Sequence, residues 1–105
     1  MNIIKVRQWN PKTKKMYYGF GMRLDNQWRN YPTMLWIGRQ DNNGKDIYMG
    51  DIIYDSLINL KGDVRYDNEQ AMFYYCVNNK QLGFFGFSGI ILGNIYEHPQ
   101  LLCFI

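Results

Sequence analysis

The chain has 105 residues and a formal charge of +3, with 47% hydrophobic, 17% aromatic and 20% charged residues. At ~100–200 residues per domain that length holds one domain, which excludes a multidomain enzyme with its own cofactor module; the aromatic content argues against intrinsic disorder. One His, two Cys and two Ser leave most catalytic constellations without parts, so composition favours a small folded module that works by contact.

Residues 3–9 alternate, with Ile4, Val6 and Gln8 on one face and Lys5, Arg7 and Trp9 on the other, the period-two pattern of a half-buried strand. Asn10 and Pro11 stop it. The following Lys-Thr-Lys stretch has turn chemistry, and residues 15–22 return as the second arm of a hairpin. Residues 25–32 show no period. Residues 33–37 form a short apolar strand ended by Gly38, and Asn43-Gly44 is a turn pair that leads into a strand over residues 46–49. Gly50 makes the next corner, where Asp51 can accept backbone hydrogen bonds before Ile52, Ile53 and Tyr54 continue as a strand. Residues 62–66 and 71–77 flank the polar tetrad Asp67-Asn68-Glu69-Gln70 as another hairpin, and Asn78-Asn79 turns the chain into residues 81–87. A last strand is expected around residues 94–97, with a break at Pro99 and an apolar tail.

No window carries capped i, i+3, i+4, i+7 spacing, and ten glycines and eleven asparagines disfavour long helices. The expectation is a mainly β fold with at most one short helix, in one compact domain over residues 1–105. Its possible lobes are a basic β extension over 1–32 and a barrel over 33–105. Cys76 and Cys103 lack the neighbours of a zinc site or a disulfide framework and read as buried free thiols. With no apolar stretch near the ~18 residues of a membrane span, a reducing, intracellular setting away from membranes is expected.

Charge is segregated along the chain. Residues 1–39 hold eight basic residues against one acid, a balance of +7, and residues 40–105 hold four against eight, a balance of −4. Trp9, Trp28 and Trp36 all lie in the basic third. Cations interleaved with flat rings suit single-stranded nucleic acid, so Lys5, Arg7, Trp9, Lys12, Lys14, Lys15, Tyr17 and Arg39 are the candidate contact residues. The competing structural reading has the same cations on solvated strand faces and the rings in the core.

The segments IKVRQWNPKTKKM (4–16), IGRQDNNGKDIYMGDII (37–53), GDVRYDNEQAMFY (62–74) and GNIYEHPQLL (93–102) resemble the successive signatures of the YopX family, small proteins encoded mainly by bacteriophages and prophages. The resemblance runs nearly end to end. It implies an SH3-like small barrel in the C-terminal part, an N-terminal β-hairpin extension and a bacterial cytoplasmic setting, with Asn43, Gly44, Gly50, Asp51, Gly93, Asn94 and Pro99 as structural motif positions. It implies no established activity. Met49 stands where the family typically has Glu, His98 where it typically has Asn, and Arg39 adds a charge at the preceding turn, so none of these carries over as a shared functional group.

Catalysis finds little support. His98 precedes Pro99 in a turn, with Glu97 expected on the opposite face of a strand, and a Ser88, His98 and Asp51 triad lacks any nucleophile context. Asp41, Asp46, Asp51, Asp55, Asp63 and Asp67 lack the ligand spacing of a calcium loop and read as turn and strand-end residues. The Gly-rich segment 83–89 has no Lys-Ser/Thr pair and no helix after it; it reads as a bend over which aromatic side chains pack. No enzyme activity, cofactor or metal is expected. Two partner classes remain, nucleic acid at the basic hairpin and a host protein docked on exposed aromatics such as Trp9, Trp28, Trp36 and Arg29 beside them, with a homodimer through an open strand edge as a further option.

Overall fold

The computed structural model describes residues 5–20, 31–84 and 86–102. Trp28, Arg29 and Cys103, singled out in the sequence, lie outside the described residues, as do residues 3 and 4 of the first expected strand.

Among the described residues, nine strands and one 3-10 turn follow in order: β1 (Lys5–Asn10), β2 (Lys15–Phe20), β3 (Thr33–Gln40), β4 (Asp46–Tyr48), β5 (Asp51–Asp55), β6 (Leu60–Asp67), β7 (Met72–Val77), β8 (Lys80–Gly83), β9 (Gly89–Asn94) and the 3-10 turn Pro99–Leu102. They form two antiparallel sheets, one ordered β2-β1-β3-β4 and one ordered β8-β7-β6-β5-β9, and the curled sheets make a half-barrel. The first sheet runs to residue 48 and so takes in residues on both sides of position 32.

β5 lies between β6 and β9 in its sheet and is buried on both faces, with Ile52 and Ile53 fully enclosed. Its alternating faces each meet a packed layer, and burial of each Ile side chain is worth about 1.5–3 kcal/mol. Around Ile53 pack Ile47, Val64, Tyr75, Val77, Phe84 and Phe87. Tyr75, Phe84 and Phe87 meet one another with ring centroids 5.1–5.6 Å apart, in tilted and edge-on arrangements that suit aromatic quadrupoles. The Gly-rich bend over 83–89 thus does what its composition suggests. Gly89 is required by close approach: a Cβ there would sit 1.9 Å from the Tyr54 carbonyl oxygen across the β5–β9 pair.

Three strand boundaries differ from expectation. β3 continues to Gln40 because its pairing with β4 shifts between Trp36 and Gln40, a bulge that absorbs Gly38 instead of ending at it. The expected strand at residues 94–97 is a turn, because the Asn94 side chain captures the N–H groups of Tyr96 (3.1 Å) and Glu97 (2.9 Å); the strand lies one element earlier, at β9. β8 ends at Gly83 and does not continue to residue 87.

The sheets join at the corner between β4 and β5. Gly50 has φ of +86°, a conformation costly for other residues, and its N–H donates to Val64 O (2.9 Å) while its carbonyl accepts from Ile95 N (2.9 Å). Asp51 Oδ2 accepts from Tyr48 N across the same corner (2.8 Å), which is the role read from the sequence. The outer side of β9 is covered by the β3–β4 turn, where Asn42 N donates to Gly89 O and Ile91 N donates to Asp41 Oδ2, both at 2.9 Å. That edge is therefore not open for strand pairing.

Candidate nucleic-acid interface

The β1–β2 hairpin tip is built by Asn10. Its Oδ1 accepts from the N–H groups of Lys12 (2.9 Å) and Thr13 (3.3 Å), and its carbonyl accepts from Lys14 N (2.8 Å), with Lys14 in the left-handed region at φ of 55°. These bonds fix the loop and turn the side chains of Lys12, Lys14 and Lys15 into solvent, where all three are exposed. None of the three tip lysines is paired with a described carboxylate, in contrast to Lys5, Arg7 and Arg65.

The register pairs Trp9 with Met16 and Gln8 with Tyr17, so Trp9 and Tyr17 project from opposite faces of the hairpin. On the first face Trp9 stacks on Tyr96, with centroids 5.9 Å apart and planes 20° from parallel. The two rings wall a groove of about 680 Å³, completed by Pro11, Lys14, Glu97, Pro99 and Gln100. Its far wall comes from the Asn94 turn: besides holding the two N–H groups, Asn94 donates from Nδ2 to Glu97 Oε1 (3.0 Å) and from its N–H to His98 Nδ1 (3.3 Å). The His98 ring lies against Gly93, where a Cβ would stand 2.5 Å from Nδ1. On the other face Tyr17 is 41% exposed, with its hydroxyl 3.5 Å from that of Thr13.

Of the eight candidate residues, Trp9, Lys12, Lys14, Lys15 and Tyr17 gather at this hairpin, and three are placed otherwise. Arg7 is a correction: it is 3% exposed, with Nη2 2.8 Å from Asp51 Oδ1 and 3.1 Å from the Met49 carbonyl, and the guanidinium 4.9 Å over the Tyr48 ring. The face of β1 that carries Lys5, Arg7 and Trp9 is the packed one. A guanidinium there is stable because carboxylate, carbonyl and ring satisfy it together. Lys5 pairs with Asp46 (2.9 Å) and lies 4.4 Å over the Trp36 ring, so it is partly engaged. Arg39 donates to the Phe84 carbonyl, far along the chain from the hairpin. Trp36 is half-buried and donates to Arg39 O (3.1 Å). Tyr96 and Glu97 were missed as groove residues; their signal was the Asn-Ile-Tyr-Glu run, which has the spacing of an Asn-capped turn as much as of a strand.

A second cleft of about 440 Å³ opens at the seam between the sheets, with Arg7 and Asp51 at its floor and Tyr18, Lys45, Asp46 and Tyr48 around them. Burial pushes the Asp51 carboxyl above its ordinary range, opposed by the Arg7 guanidinium and the Tyr48 N–H. Burial acts the same way on Asp41, but the N–H groups of Ile91, Lys45 and Asn43 outweigh it and hold that carboxyl below the usual range. Burial, then Asp46, pushes the Tyr48 phenol up. Ser88 Oγ accepts from Asn42 Nδ2 (3.0 Å) while Asp51 is committed to Arg7 and Tyr48, so the triad written from the sequence is not assembled by any described contact. Among the described residues no group of three or more His, Cys, Asp or Glu side chains could hold a metal ion, and no helix is long and apolar enough to cross a membrane.

Comparison with known proteins fits this architecture. A crystal structure of protein EF1440 from Enterococcus faecalis is similar over 98% of this chain and 100% of its own, with a TM-score of 0.70 and 20% sequence identity, a likeness that establishes the fold alone. No curated protein sequence matches. The family described as YopX protein matches residues 21–103, most of the chain, and it is to the YopX family that this protein belongs.

Proposed function

We propose that this protein is a non-enzymatic accessory binding protein, of the phage or prophage type and working in the bacterial cytoplasm, that contacts single-stranded nucleic acid through its β1–β2 hairpin. The observation that carries this reading is the tip itself: three solvent-facing lysines held by Asn10 beside an aromatic wall of Trp9 and Tyr96. Lysines neutralise phosphates without regard to sequence, and the rings accept stacked bases, each worth about 1–3 kcal/mol.

A protein partner is the second reading, and a different surface favours it. The β5–β6 turn and the first residue of β6 expose Leu57 (70%), Ile58 (43%) and Leu60 (39%), an apolar tip of the kind that docks on another protein. Trp9 and Trp36, as half-buried rings with partners of their own, are poorer anchors than this loop. A homodimer through an outer strand would have to use one other than the covered β9.

Affinity capture of the tagged protein from bacterial lysate, split into nuclease-treated and untreated halves, tests the reading. Retained nucleic acid in the untreated half, with protein partners lost on nuclease treatment, is the expected result. One protein retained equally in both halves, with no nucleic acid, would overturn it in favour of the apolar loop.

A further inference from the structure

We infer that the groove between the hairpin and the C-terminal turn takes one unstacked guanine base of the bound strand. The inference rests on the nucleic-acid reading above and adds to it a base preference.

The pointer is an acid beside the basic hairpin tip. A carboxylate beside a polyanion is repulsive, and a groove that only tracked the backbone would gain nothing from Glu97. Yet Glu97 is fixed there. Its Oε1 accepts from Asn94 Nδ2 at 3.0 Å, and Asn94, 7% exposed, is itself anchored by the N–H groups of Tyr96 and Glu97. Oε2 has no partner among the described residues, so the carboxylate is pre-set with accepting capacity to spare.

An ionised carboxylate only accepts hydrogen bonds, and among the four bases guanine alone presents two adjacent donors, N1–H and N2–H, on its Watson–Crick edge. Adenine and cytosine offer an amino group beside a ring nitrogen acceptor that would face the carboxylate lone pairs. Uracil and thymine offer one N–H between two carbonyls. The same edge is reachable only on a base out of its duplex, the usual condition for single-strand recognition.

The remaining walls suit the rest of a nucleotide. Trp9 and Tyr96, only 20° from parallel, present ring surface for stacking, and Lys14 stands on the hairpin side, where a neighbouring phosphate would lie. A volume of about 680 Å³ holds a nucleotide with room for the chain to enter and leave.

The test is fluorescence anisotropy with labelled 12-mers of thymidine carrying one central guanine, one central inosine or no substitution, and the uridine counterparts in ribose form. Wild-type protein should bind the guanine strand about 5- to 150-fold tighter than the unsubstituted one, the range a well-made bidentate base contact gives. Inosine, which lacks the N2 amine, should lose most of that gain. Glu97→Gln should remove the guanine preference, and Glu69→Gln, on the distant β6–β7 loop, should keep it. Equal affinity of wild-type protein for all three strands would overturn the base subsite while leaving the nucleic-acid reading intact. No binding to any strand would overturn both. Displacement of the guanine strand by equimolar GMP would show that the groove serves a free nucleotide and would overturn the strand as its source. Because the inosine comparison uses unmodified protein, it stands even if Glu97→Gln disturbs the turn.

Discussion

In the five-stranded sheet, Ile53, Val64, Tyr75 and Val77 close on Phe84 and Phe87 with 0–8% exposure. The four-stranded sheet meets it through a charged pair, Arg7 and Asp51, with side chains 4% and 3% exposed and 2.8 Å apart. An apolar layer tolerates exchange among residues of similar volume, because its attraction has no direction. A buried ion pair tolerates little: each partner is stable only while the other is present. The seam therefore fixes how the basic hairpin sits against the barrel, while the aromatic layer supplies bulk stability. Any experiment that treats the two regions alike in outcome would break this contrast.

The largest effect should come from Gly89→Ala, whose Cβ cannot coexist with the Tyr54 carbonyl oxygen at 1.9 Å. Loss of the cooperative thermal transition is the expected outcome; a native-like melt would show that β5 and β9 can separate. Arg7→Met comes next. It leaves the Asp51 carboxylate buried with only the Tyr48 N–H and should cost about 3–5 kcal/mol in urea unfolding, whereas Arg7→Met combined with Asp51→Asn, whose amide oxygen can still accept from Tyr48 N, should recover much of that loss. If the double variant is as unstable as the single, the seam is held by packing and not by charge.

Asp41→Asn should cost about 1–3 kcal/mol at neutral pH, because an amide cannot accept from Ile91, Lys45 and Asn43 as the carboxylate does. The Asp41 carboxyl titrates below its ordinary range when folded, so its stabilisation is present above that range and is lost as pH falls through the folded value. The stability difference between wild type and Asp41→Asn should therefore shrink below pH ~4. Asp51, shifted upward, acts with opposite sign, since its ionisation costs stability as pH rises through its folded value; it is common to both proteins and cancels in the difference. A difference that grew on acidification would contradict the assignment. The smallest effect is at the hairpin tip, where Asn10→Ala removes two side-chain bonds and should cost about 1 kcal/mol. Urea midpoints check the cost, and strand affinity checks whether a loosened tip binds less well.

The apolar region was legible in the sequence and the polar seam was not. Ile52, Ile53, Phe84 and Phe87 carry their burial in their composition, and the Gly50-Asp51 corner carries its turn chemistry. Alternation in β1 marks two faces but cannot say which is packed, because the packed face bears Arg7, whose partner Asp51 lies far along the chain at the start of β5. Residues 94–97 misled for a related reason. Ile95 and Tyr96 have strand propensity, but the Asn94 side chain outcompetes strand pairing by capturing the next two N–H groups it can reach. The groove followed from neither signal alone, since Trp9 and Tyr96 meet only when the hairpin and the terminal turn are folded against each other.

The proposed strand binding depends most directly on the three tip lysines. Affinity for a thymidine 12-mer measured across salt concentrations should fall with a log–log slope near −2, about −0.7 for each of three phosphates, and the Lys12→Ala, Lys14→Ala, Lys15→Ala triple variant should flatten it toward zero. Strand binding that is insensitive to salt, or that keeps the same slope in the triple variant, would contradict the placement of nucleic acid at this hairpin.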